Sequence, residues 1–295
     1  MTETQTYNIA GHTVRADYAC VPRKAAKIVP SFQPFLTENA GSGAVLHITV
    51  DDRYRPNMEE LDLIKQFPSG DSEYKLFGRE DKSLVVAFCD SCHKPMAVID
   101  MAPDFRNSRI AVLPQDGRYA SALSNAIMIS YTFATSHLAT VAVHSSTVLY
   151  KGKGYMFLGK SGTGKSTHSQ AWLRNFDGCE LMNDDNPIMR IIDGKVMVYG
   201  SPWSGKTSCY KQLCAPVGAM VALVQAQCNK ITRLGNVRAF VNVFSAASTL
   251  LCHKGSYEAI LETMLHIAET VPVYMLENLP DDDAAKLCNS TIVCR

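Results

Sequence analysis

The sequence Gly159-Lys-Ser-Gly-Thr-Gly-Lys165-Ser166 predicts the fold, because it fits the pattern G-x-x-x-x-G-K-[ST] at every fixed position. Glycines let such a loop curl until consecutive backbone N–H groups point at phosphate oxygens. The helix that follows adds unpaired N-terminal donors and the positive end of its dipole. We therefore predict a phosphate-binding loop at 159–167, with Lys165 on the β- and γ-phosphates and Ser166 as a ligand of Mg²⁺. The predicted nucleotide-binding residues are Gly159, Lys160, Ser161, Gly162, Thr163, Gly164, Lys165, Ser166 and Thr167.

The residues on either side of the loop have the context that this motif requires. An apolar strand, Tyr155–Leu158, enters the loop, and a helix-compatible segment from about Lys165 to Asn175 leaves it. The alternative is a Gly- and Ser-rich turn that matches the pattern by chance, and the strand–loop–helix context disfavours it. Within the first helical turn, His168 is either a contact for the nucleotide or, more often for such a residue, a histidine on the helix surface.

Two consecutive acids downstream are the candidate carboxylates of the site. A bound triphosphate with Mg²⁺ needs a carboxylate for the metal, and phosphoryl transfer needs a group for the acceptor proton. Asp184 and Asp185 follow an apolar strand, Cys179–Met182, which we expect beside the strand that enters the loop. Adjacent strand residues face opposite ways, so the acids can divide this labour only if the strand ends or bends there, as Asn186-Pro187 suggests. A polar turn before the proline is the alternative.

The pattern of strands and helices divides the chain into two predicted domains. Short strands separated by turns predict a β-rich, mostly antiparallel N-terminal domain over residues 1–135, which we associate with substrate recognition. Residues 136–295 form the predicted catalytic domain. The predicted strands of the first domain are Val45–Val50, Tyr74–Phe77, Leu84–Phe88, Met96–Asp100 and Arg109–Leu113, followed by a helix at Arg118–His137. The remaining predicted strands of the second domain are Thr140–Leu149, Ile188–Ile192, Val196–Tyr199, Val217–Gln225 and Val273–Leu276, with helices at Val237–Leu251, Tyr257–Glu269 and Asp281–Leu287.

The composition is that of an ordinary globular protein. The 295 residues are 46% hydrophobic and 19% charged, with a formal net charge of +1, which gives no indication of a nucleic-acid or membrane partner. The first residues lack the features of a secretory signal, and no apolar run reaches the roughly 18 residues of a membrane helix. We therefore predict a cytoplasmic protein whose ten cysteines are reduced thiols.

One cysteine motif suggests a different chemistry. Cys89-Asp-Ser-Cys92-His93 matches the attachment pattern of c-type haem. Haem attachment of that kind requires export, for which the sequence has no signal, and a zinc site would need two further ligands. A redox dithiol is a third alternative, and ordinary thiols are the expectation.

Four segments together resemble the catalytic domain of HPr kinase/phosphorylase: His144-Ser-Ser-x-Val, Gly152-x-Gly154, the phosphate loop and Asn183-Asp-Asp185. The resemblance covers about residues 140–290 and implies an α/β (α+β) fold, with the phosphoenolpyruvate-carboxykinase-like P-loop fold as the catalytic domain. It also implies site roles. Asp184 would act as the base toward the acceptor hydroxyl, with His144 orienting it, and Lys165 would complete the catalytic set. Asp185 and Ser166 would hold Mg²⁺.

The segment Tyr199–Lys206 looks more like the small-substrate and peptide-kinase relatives of that family, such as kinases of lasso-peptide clusters. The signature that binds HPr itself is not evident. The resemblance therefore implies an ATP-dependent, Mg²⁺-requiring kinase acting on a hydroxyl, with a serine-type acceptor favoured, of an unidentified small molecule, peptide or protein. Lys206 is a candidate for a further cation at the transferred phosphate.

Two other functions are compatible with a phosphate loop. The first is a nucleotide-binding regulatory or assembly protein with slow or no ATP hydrolysis. The second is a carboxykinase-type enzyme, but the additional metal ligands and arginines that it requires are not found in the sequence. Members of the resembling family are often oligomeric, so a homo-oligomer is also an open alternative.

Overall fold

The chain divides into two units, each built around its own β-sheet. The computed structural model describes residues 2–21, 25–38, 43–69, 72–114, 116–205, 207–247 and 253–293. The first unit consists of Met1–Thr135 and Leu250–Lys254, and the second of Ser136–Thr249 and Gly255–Arg295. No helix in these described parts of the chain is both long enough and apolar enough to cross a lipid bilayer.

The first unit contains an eight-stranded sheet in the order β1-β2-β3-β8-β7-β6-β5-β4. Its neighbouring strands are antiparallel except for β2 with β3 and β3 with β8, which are parallel. The strands are β1 (Glu3–Ile9), β2 (His12–Cys20), β3 (Leu46–Asp51), β4 (Asp62–Ser69), β5 (Ser72–Gly78), β6 (Leu84–Cys89), β7 (Pro95–Met101) and β8 (Asn107–Val112). Short helical segments lie at α1 (Ala25–Ile28) and, as 3₁₀ turns, at Pro30–Phe35 and Met58–Glu60.

Helix α2 (Tyr119–Thr135) packs across the centre of this sheet, against β3, β7 and β8. Ala122, Ala126 and Ser130 are fully buried at a spacing of four residues, which is the spacing of one helix face. The helix was predicted at 118–137, but it ends at Thr135, and Ser136–Leu138 continues as a 3₁₀ turn.

The second unit contains strands in the order β12-β10-β11-β15-β14-β13-β9, and β17 adds to β15 with β16 beside it. Its strands are β9 (Thr140–Ala142), β10 (Ser145–Tyr150), β11 (Lys153–Leu158), β12 (Glu180–Asp185), β13 (Ile188–Ile192), β14 (Lys195–Tyr199), β15 (Cys214–Gln225), β16 (Lys230–Arg233) and β17 (Val273–Asn278). Because β11, β15 and β17 are parallel, their carboxyl ends lie at one edge of the sheet. The phosphate loop leaves the sheet at that edge.

Helices cover both faces of this second sheet. They are α3 (Lys165–Asn175), α4 (Asn236–Ser245), α5 (Lys254–Thr270) and α6 (Asp282–Ile292). Alternate residues of β11 face opposite layers: Phe157 packs with Trp172 of α3 and Cys288 of α6. Leu158 packs instead with Val243 of α4 and Met264 of α5. Burial on both faces explains why β11 is a continuous apolar run rather than an alternating one.

Tertiary pairing changes one strand prediction that matters for the site. The segment Thr140–Leu149 was predicted as a single strand, but it forms β9, which pairs with β13, and β10, which pairs with β11 and β12. Between them, the N–H of Val143 bonds to the Pro187 carbonyl and the N–H of His144 bonds to the Ala246 carbonyl. His144 therefore lies at a break between two strands.

Other predicted elements differ from the structure at their limits or were missed. Helix α4 ends at Ser245, short of the predicted residue 251, and residues 248–252 lie outside the described part of the chain. Helix α6 extends to Ile292, and Asp281 is its N-cap rather than its first residue. Strands β1, β2, β4 and β16 were not predicted. Polar and charged residues hide the alternation in β1, β4 and β16, whereas β2 was missed although Val14, Ala16 and Tyr18 alternate with polar residues.

Candidate functional site

Three glycines give the phosphate loop a backbone that other residues would adopt only with strain. Gly159, Gly162 and Gly164 have φ angles of 148°, 82° and 99°. At Gly159, a Cβ atom would lie 2.5 Å from Oγ1 of Thr163. Thr163 in turn bonds through Oγ1 to the Lys160 carbonyl at 2.9 Å, which closes the loop. The curled form therefore depends on glycine at position 159.

The loop leads directly into α3, whose N-terminus carries no side-chain cap. Its N-cap residue is Gly164, in the left-handed conformation, and no side-chain hydrogen bond caps the first turn. The first backbone N–H groups of a helix have no partner within it, so here they are open to an anion. Ser166 and Thr167, in this first turn, are exposed. Binding of phosphate by the loop and the helix start stays a prediction.

The ammonium group of Lys165 lies over the beginning of the loop. Its Nζ donates to the carbonyls of Gly159 at 2.8 Å and Lys160 at 3.3 Å. Burial lowers the pKa of Lys165, while the carboxylates of Asp185 and Asp184 act in the opposite direction. The lysine is thus a partly desolvated cation, and its attraction to a phosphate oxygen is stronger than that of a fully hydrated ammonium.

His144 connects this lysine to one of the predicted acids. Its Nε2 lies 2.9 Å from Nζ of Lys165, and its Nδ1 lies 2.9 Å from Oδ1 of Asp185. Because an ammonium only donates, Nε2 accepts, and the proton of the ring lies on Nδ1 toward the carboxylate. The other oxygen of Asp185 accepts from Nδ2 of Asn186 at 2.8 Å. The ring therefore pairs with Asp185, whereas the resemblance implied that it orients Asp184.

A β-bulge determines where Asp184 faces. Strand β12 pairs with β10, and the register shifts so that Val148 faces Leu181 but Thr147 faces Asn183. The extra residue of β12 is Met182. Because of it, Asp184 lies opposite Ser146, whereas a continuous register would place it opposite Ser145. Ser146 bonds to Ser169 of α3 at 2.6 Å. Asp184, only 5% exposed, is thereby turned toward the helix that starts in the phosphate loop.

The strand order corrects the expected position of the two acids. They were expected to follow a strand beside β11, but β12 pairs with β10, which lies between them. Both acids also belong to β12 itself, rather than to a turn after it. Strand β10 separates β11 from the two acids. Asp185 is nevertheless connected to the loop, because His144 contacts both Asp185 and Lys165.

Asn183 is a positioning residue that sequence analysis named only as part of the resemblance. Its Oδ1 accepts from the backbone N–H groups of Asp185 at 3.1 Å and Asn186 at 3.0 Å. Its Nδ2 donates to the Trp203 carbonyl at 3.0 Å. Asn183 is fully buried, so these bonds hold the end of β12 in one conformation. The predicted cation Lys206 lies outside the described residues.

His168 is a buried residue, not a surface histidine of α3. It is 3% exposed and packs edge-to-face on Phe157, with ring centroids 4.6 Å apart. Nε1 of Trp172 donates to its Nε2 at 3.2 Å. Burial lowers the pKa of His168 to about 4, so the ring is neutral at physiological pH. Position 168 faces β11, and for this reason His168 is not on the helix surface, which was the more frequent of the two alternatives expected for it.

Two clefts open on either side of the loop. The larger, here called the His144 cleft, has a volume of about 630 Å³ and is lined by His144, Gly159, Lys160, Gln225, Asn242 and Ser245, among others. The smaller, here called the Asp281 cleft, has a volume of about 440 Å³ and is lined by Gly162, Thr167, His168, Ala226, Asn278 and Asp281, among others. Both volumes lie in the range of small-molecule sites.

The predicted Mg²⁺ ligands can be compared with the ligands that Mg²⁺ usually takes. Among the described residues, no three His, Cys, Asp or Glu side chains cluster as a metal centre would require. Mg²⁺ is usually held by one or two carboxylates together with substrate phosphates and waters. The predicted ligands Ser166 and Asp185 are of that kind.

The cysteine motif lies in a hairpin turn between β6 and β7. The Asp90 carboxylate accepts from the N–H groups of Cys92 and Lys94, both at 2.9 Å, and so shapes the turn. Burial raises the pKa of the Cys89 thiol. For Cys89, a raised pKa is the property of an ordinary thiol rather than of a deprotonated ligand.

Comparison with known proteins finds distant likeness among solved structures. No protein-family model and no curated protein matches the sequence. Among solved structures, the chain is similar to the HPr(Ser) kinase/phosphatase from Coxiella burnetii, with 12% identity and a TM-score of 0.33. The match covers 52% of this chain and 88% of that chain. At this level of similarity, function has to be inferred from the residues of the loop and its surroundings.

Proposed function

We propose that the protein is an ATP-dependent, Mg²⁺-requiring kinase that transfers the γ-phosphoryl group to a hydroxyl of a small molecule, peptide or protein. A serine-type hydroxyl is the favoured acceptor. The observation that carries the proposal is the chain of contacts Asp185–His144–Lys165 at the start of a phosphate loop. Such a chain adds an oriented cation and an oriented carboxylate for Mg²⁺ to a loop that could otherwise serve for binding alone.

Phosphoryl transfer depends mainly on positioning of the reactants and neutralisation of phosphate charge, and different residues would serve the two tasks. The N–H groups of the loop and of the first turn of α3 hold the polyphosphate. Lys165 neutralises charge on the β- and γ-phosphates, and His144 keeps its ammonium in place. Mg²⁺, when bound, would neutralise further phosphate charge, held by Ser166 and Asp185. Each oxygen of Asp185 has a second lone pair beyond its contact with His144 or Asn186.

Asp184 is the proposed base toward the acceptor hydroxyl. It is buried, it faces α3, and its charge is felt at Lys165. The contact of His144 with Asp185 means that Asp184 would be oriented by the strand and its bulge instead of by the histidine. The backbone of β12 would then hold Asp184 in position without a side-chain partner.

A nucleotide-binding regulator with slow or no hydrolysis is the alternative. Such a protein would have its own chain in the space beside the γ-phosphate. Among the described residues, none fills the His144 cleft of about 630 Å³ beside Lys160 and His144, which favours the kinase over such a regulator.

The test uses ATP labelled at the γ-phosphate, mixed with fractions of metabolites and peptides. Wild type should transfer label, and Asp184→Asn should transfer it about 10²–10⁴-fold more slowly while still binding nucleotide. Lys165→Ala should lose nucleotide binding. Asp283→Asn, an exposed carboxylate on α6, is the matched control and should behave as wild type.

The possible results separate the two functions. Label transfer that survives Asp184→Asn unchanged would overturn the base assignment. Tight nucleotide binding without transfer to any fraction, in wild type as in Asp184→Asn, would favour the regulator.

A further inference from the structure

The two ends of a nucleotide bound at the phosphate loop would lie in different clefts, because the lysine and the loop backbone serve different phosphates. In such loops the lysine serves the β- and γ-phosphates, while the backbone of the loop and helix start holds the α- and β-phosphates. The Lys165 ammonium contacts Gly159, Lys160 and His144, all of which line the His144 cleft. The γ-phosphate end therefore belongs to that cleft. The opposite end of a nucleotide would run past Thr167 into the Asp281 cleft.

The charges of the Asp281 cleft suit a neutral group and not another phosphate. Of the described residues that line it, none is Lys or Arg, and one, Asp281, is acidic. The remaining ionisable group is His168, which is 3% exposed and whose Nε2 already accepts a hydrogen bond from Trp172. An additional phosphate would meet a carboxylate there without a compensating cation. A ligand that presents hydroxyl or amino donors would be attracted instead.

Asp281 holds a carboxylate in a fixed position at the cleft. Its Oδ1 accepts from the N–H of Ala284 at 2.8 Å as the N-cap of α6. The same oxygen accepts from Nδ2 of Asn229 at 3.0 Å. Both contacts use Oδ1, so Oδ2 is left for a donor from a ligand. The side chain is thus oriented before any ligand arrives.

Asn278 provides the second, independent observation. It is the last residue of β17, it is 7% exposed, and it lines the cleft. Its Nδ2 donates to the Leu279 carbonyl at 2.9 Å. Its Oδ1 is buried without a hydrogen-bond partner among the described residues. A buried acceptor without a partner is unfavourable, and a donor from a ligand would relieve it.

We infer that the Asp281 cleft is the nucleoside subsite of the phosphate loop, with Asp281 and Asn278 accepting hydrogen bonds from hydroxyl and amino groups of the nucleoside. The inference rests on the proposed function, since it needs a nucleotide in the loop. It adds the residues that would distinguish a nucleoside triphosphate from a bare polyphosphate.

The experiment compares two ligands by titration calorimetry: ATP, which has a nucleoside, and inorganic tripolyphosphate, which has none. Asp281→Asn keeps a side chain that caps α6 but replaces an acceptor by a donor. It should raise the Kd for ATP roughly tenfold to a hundredfold, the effect of losing a hydrogen bond to a charged group. The Kd for tripolyphosphate should stay unchanged. Asn278→Ala should act in the same direction, and Asp283→Asn, which removes an equal charge two residues away, should affect neither ligand.

Each result has a distinct meaning, provided that thermal melting shows each variant to be folded. Equal weakening of both ligands in Asp281→Asn and Asn278→Ala would assign these residues to support of the loop and overturn the inference. Unchanged ATP binding in both variants would also overturn it. If wild type binds neither ligand, the proposed function itself fails. If wild type binds ATP and tripolyphosphate equally well, the phosphate loop stands but the nucleoside subsite does not.

Discussion

Nε2 of His144 and Nζ of Lys165 are 2.9 Å apart, although 21 positions separate the two residues in the chain. The contact is possible because His144 lies at the break before β10, next to the strand that ends in the phosphate loop. Through Nδ1 the same ring reaches Asp185 on β12. One side chain, just before β10, thus contacts the last residue of β12 and the first residue of α3 beside the predicted phosphate loop.

Replacing His144 should slow phosphoryl transfer more than it weakens nucleotide binding. In His144→Ala the ammonium of Lys165 loses a fixed acceptor and Asp185 loses a donor, while the N–H groups of the loop are untouched. We expect a loss of about 10²-fold in kcat, as for other displaced catalytic groups, with a small change in KM for ATP. Steady-state kinetics measures both, and His137→Ala, at an exposed position, is the control. Equal losses in kcat and in ATP affinity would contradict a positioning role.

Replacing Gly159 should damage the loop through a steric clash. A Cβ there would lie 2.5 Å from Oγ1 of Thr163, in a backbone with φ of 148°. We expect Gly159→Ala to lower the free energy of unfolding by about 1–3 kcal/mol and to weaken nucleotide binding. Gly178→Ala is the matched control, because Gly178 also has a positive φ, of 77°, but no atom within 4 Å of the added Cβ. Urea denaturation and nucleotide titration of the two variants separate backbone strain from the clash.

Burial of His168 should make stability depend on pH below neutrality. The unfolded chain binds this proton with the ordinary pKa of 6.5, whereas the folded chain binds it only at about 4. Between these values the unfolded state holds more protons, so stability decreases as the pH falls through this window. As the pH falls from 6.5 to about 4, the free energy of unfolding of wild type should decrease by on the order of 3 kcal/mol more than that of His168→Gln. Urea denaturation at several pH values measures this difference, and parallel curves for the two proteins would show that the ring is not protected from protonation. His137→Gln should keep the wild-type profile.

Asn183 should be sensitive to an isosteric change. In Asn183→Asp the acceptor for the N–H groups of Asp185 and Asn186 is kept, but the donor toward the Trp203 carbonyl becomes an acceptor. Repulsion and a buried charge should lower the free energy of unfolding by about 1–3 kcal/mol or more. Because the same side chain holds the end of β12, label transfer should fall as well. Wild-type stability together with wild-type activity would show that the turn after β12 does not depend on this amide.

The local parts of the site could be predicted from the sequence. Helix α3 begins at Lys165 and ends at Asn175, as predicted, because glycines before a helix-compatible segment act within a few residues. Several strands, such as β6 and β13, also lie within one residue of their predicted limits, because a short apolar run is likewise a local feature of the sequence. The roles of Asp184, Asp185 and Ser166 stay predictions.

The arrangement around the loop was decided by tertiary structure. The break before His144, the extra residue Met182 and the insertion of β10 between β11 and β12 all depend on which strands pair. Strand pairing joins residues that are far apart in the chain, and a shift of one residue turns a side chain to the other face. The chain by itself thus determined the curled glycine loop that begins at Gly159 and the helix that follows it, because glycine conformation and helix propensity are local. Which carboxylate meets the histidine, and which faces the helix, was decided only by the pairing of distant strands.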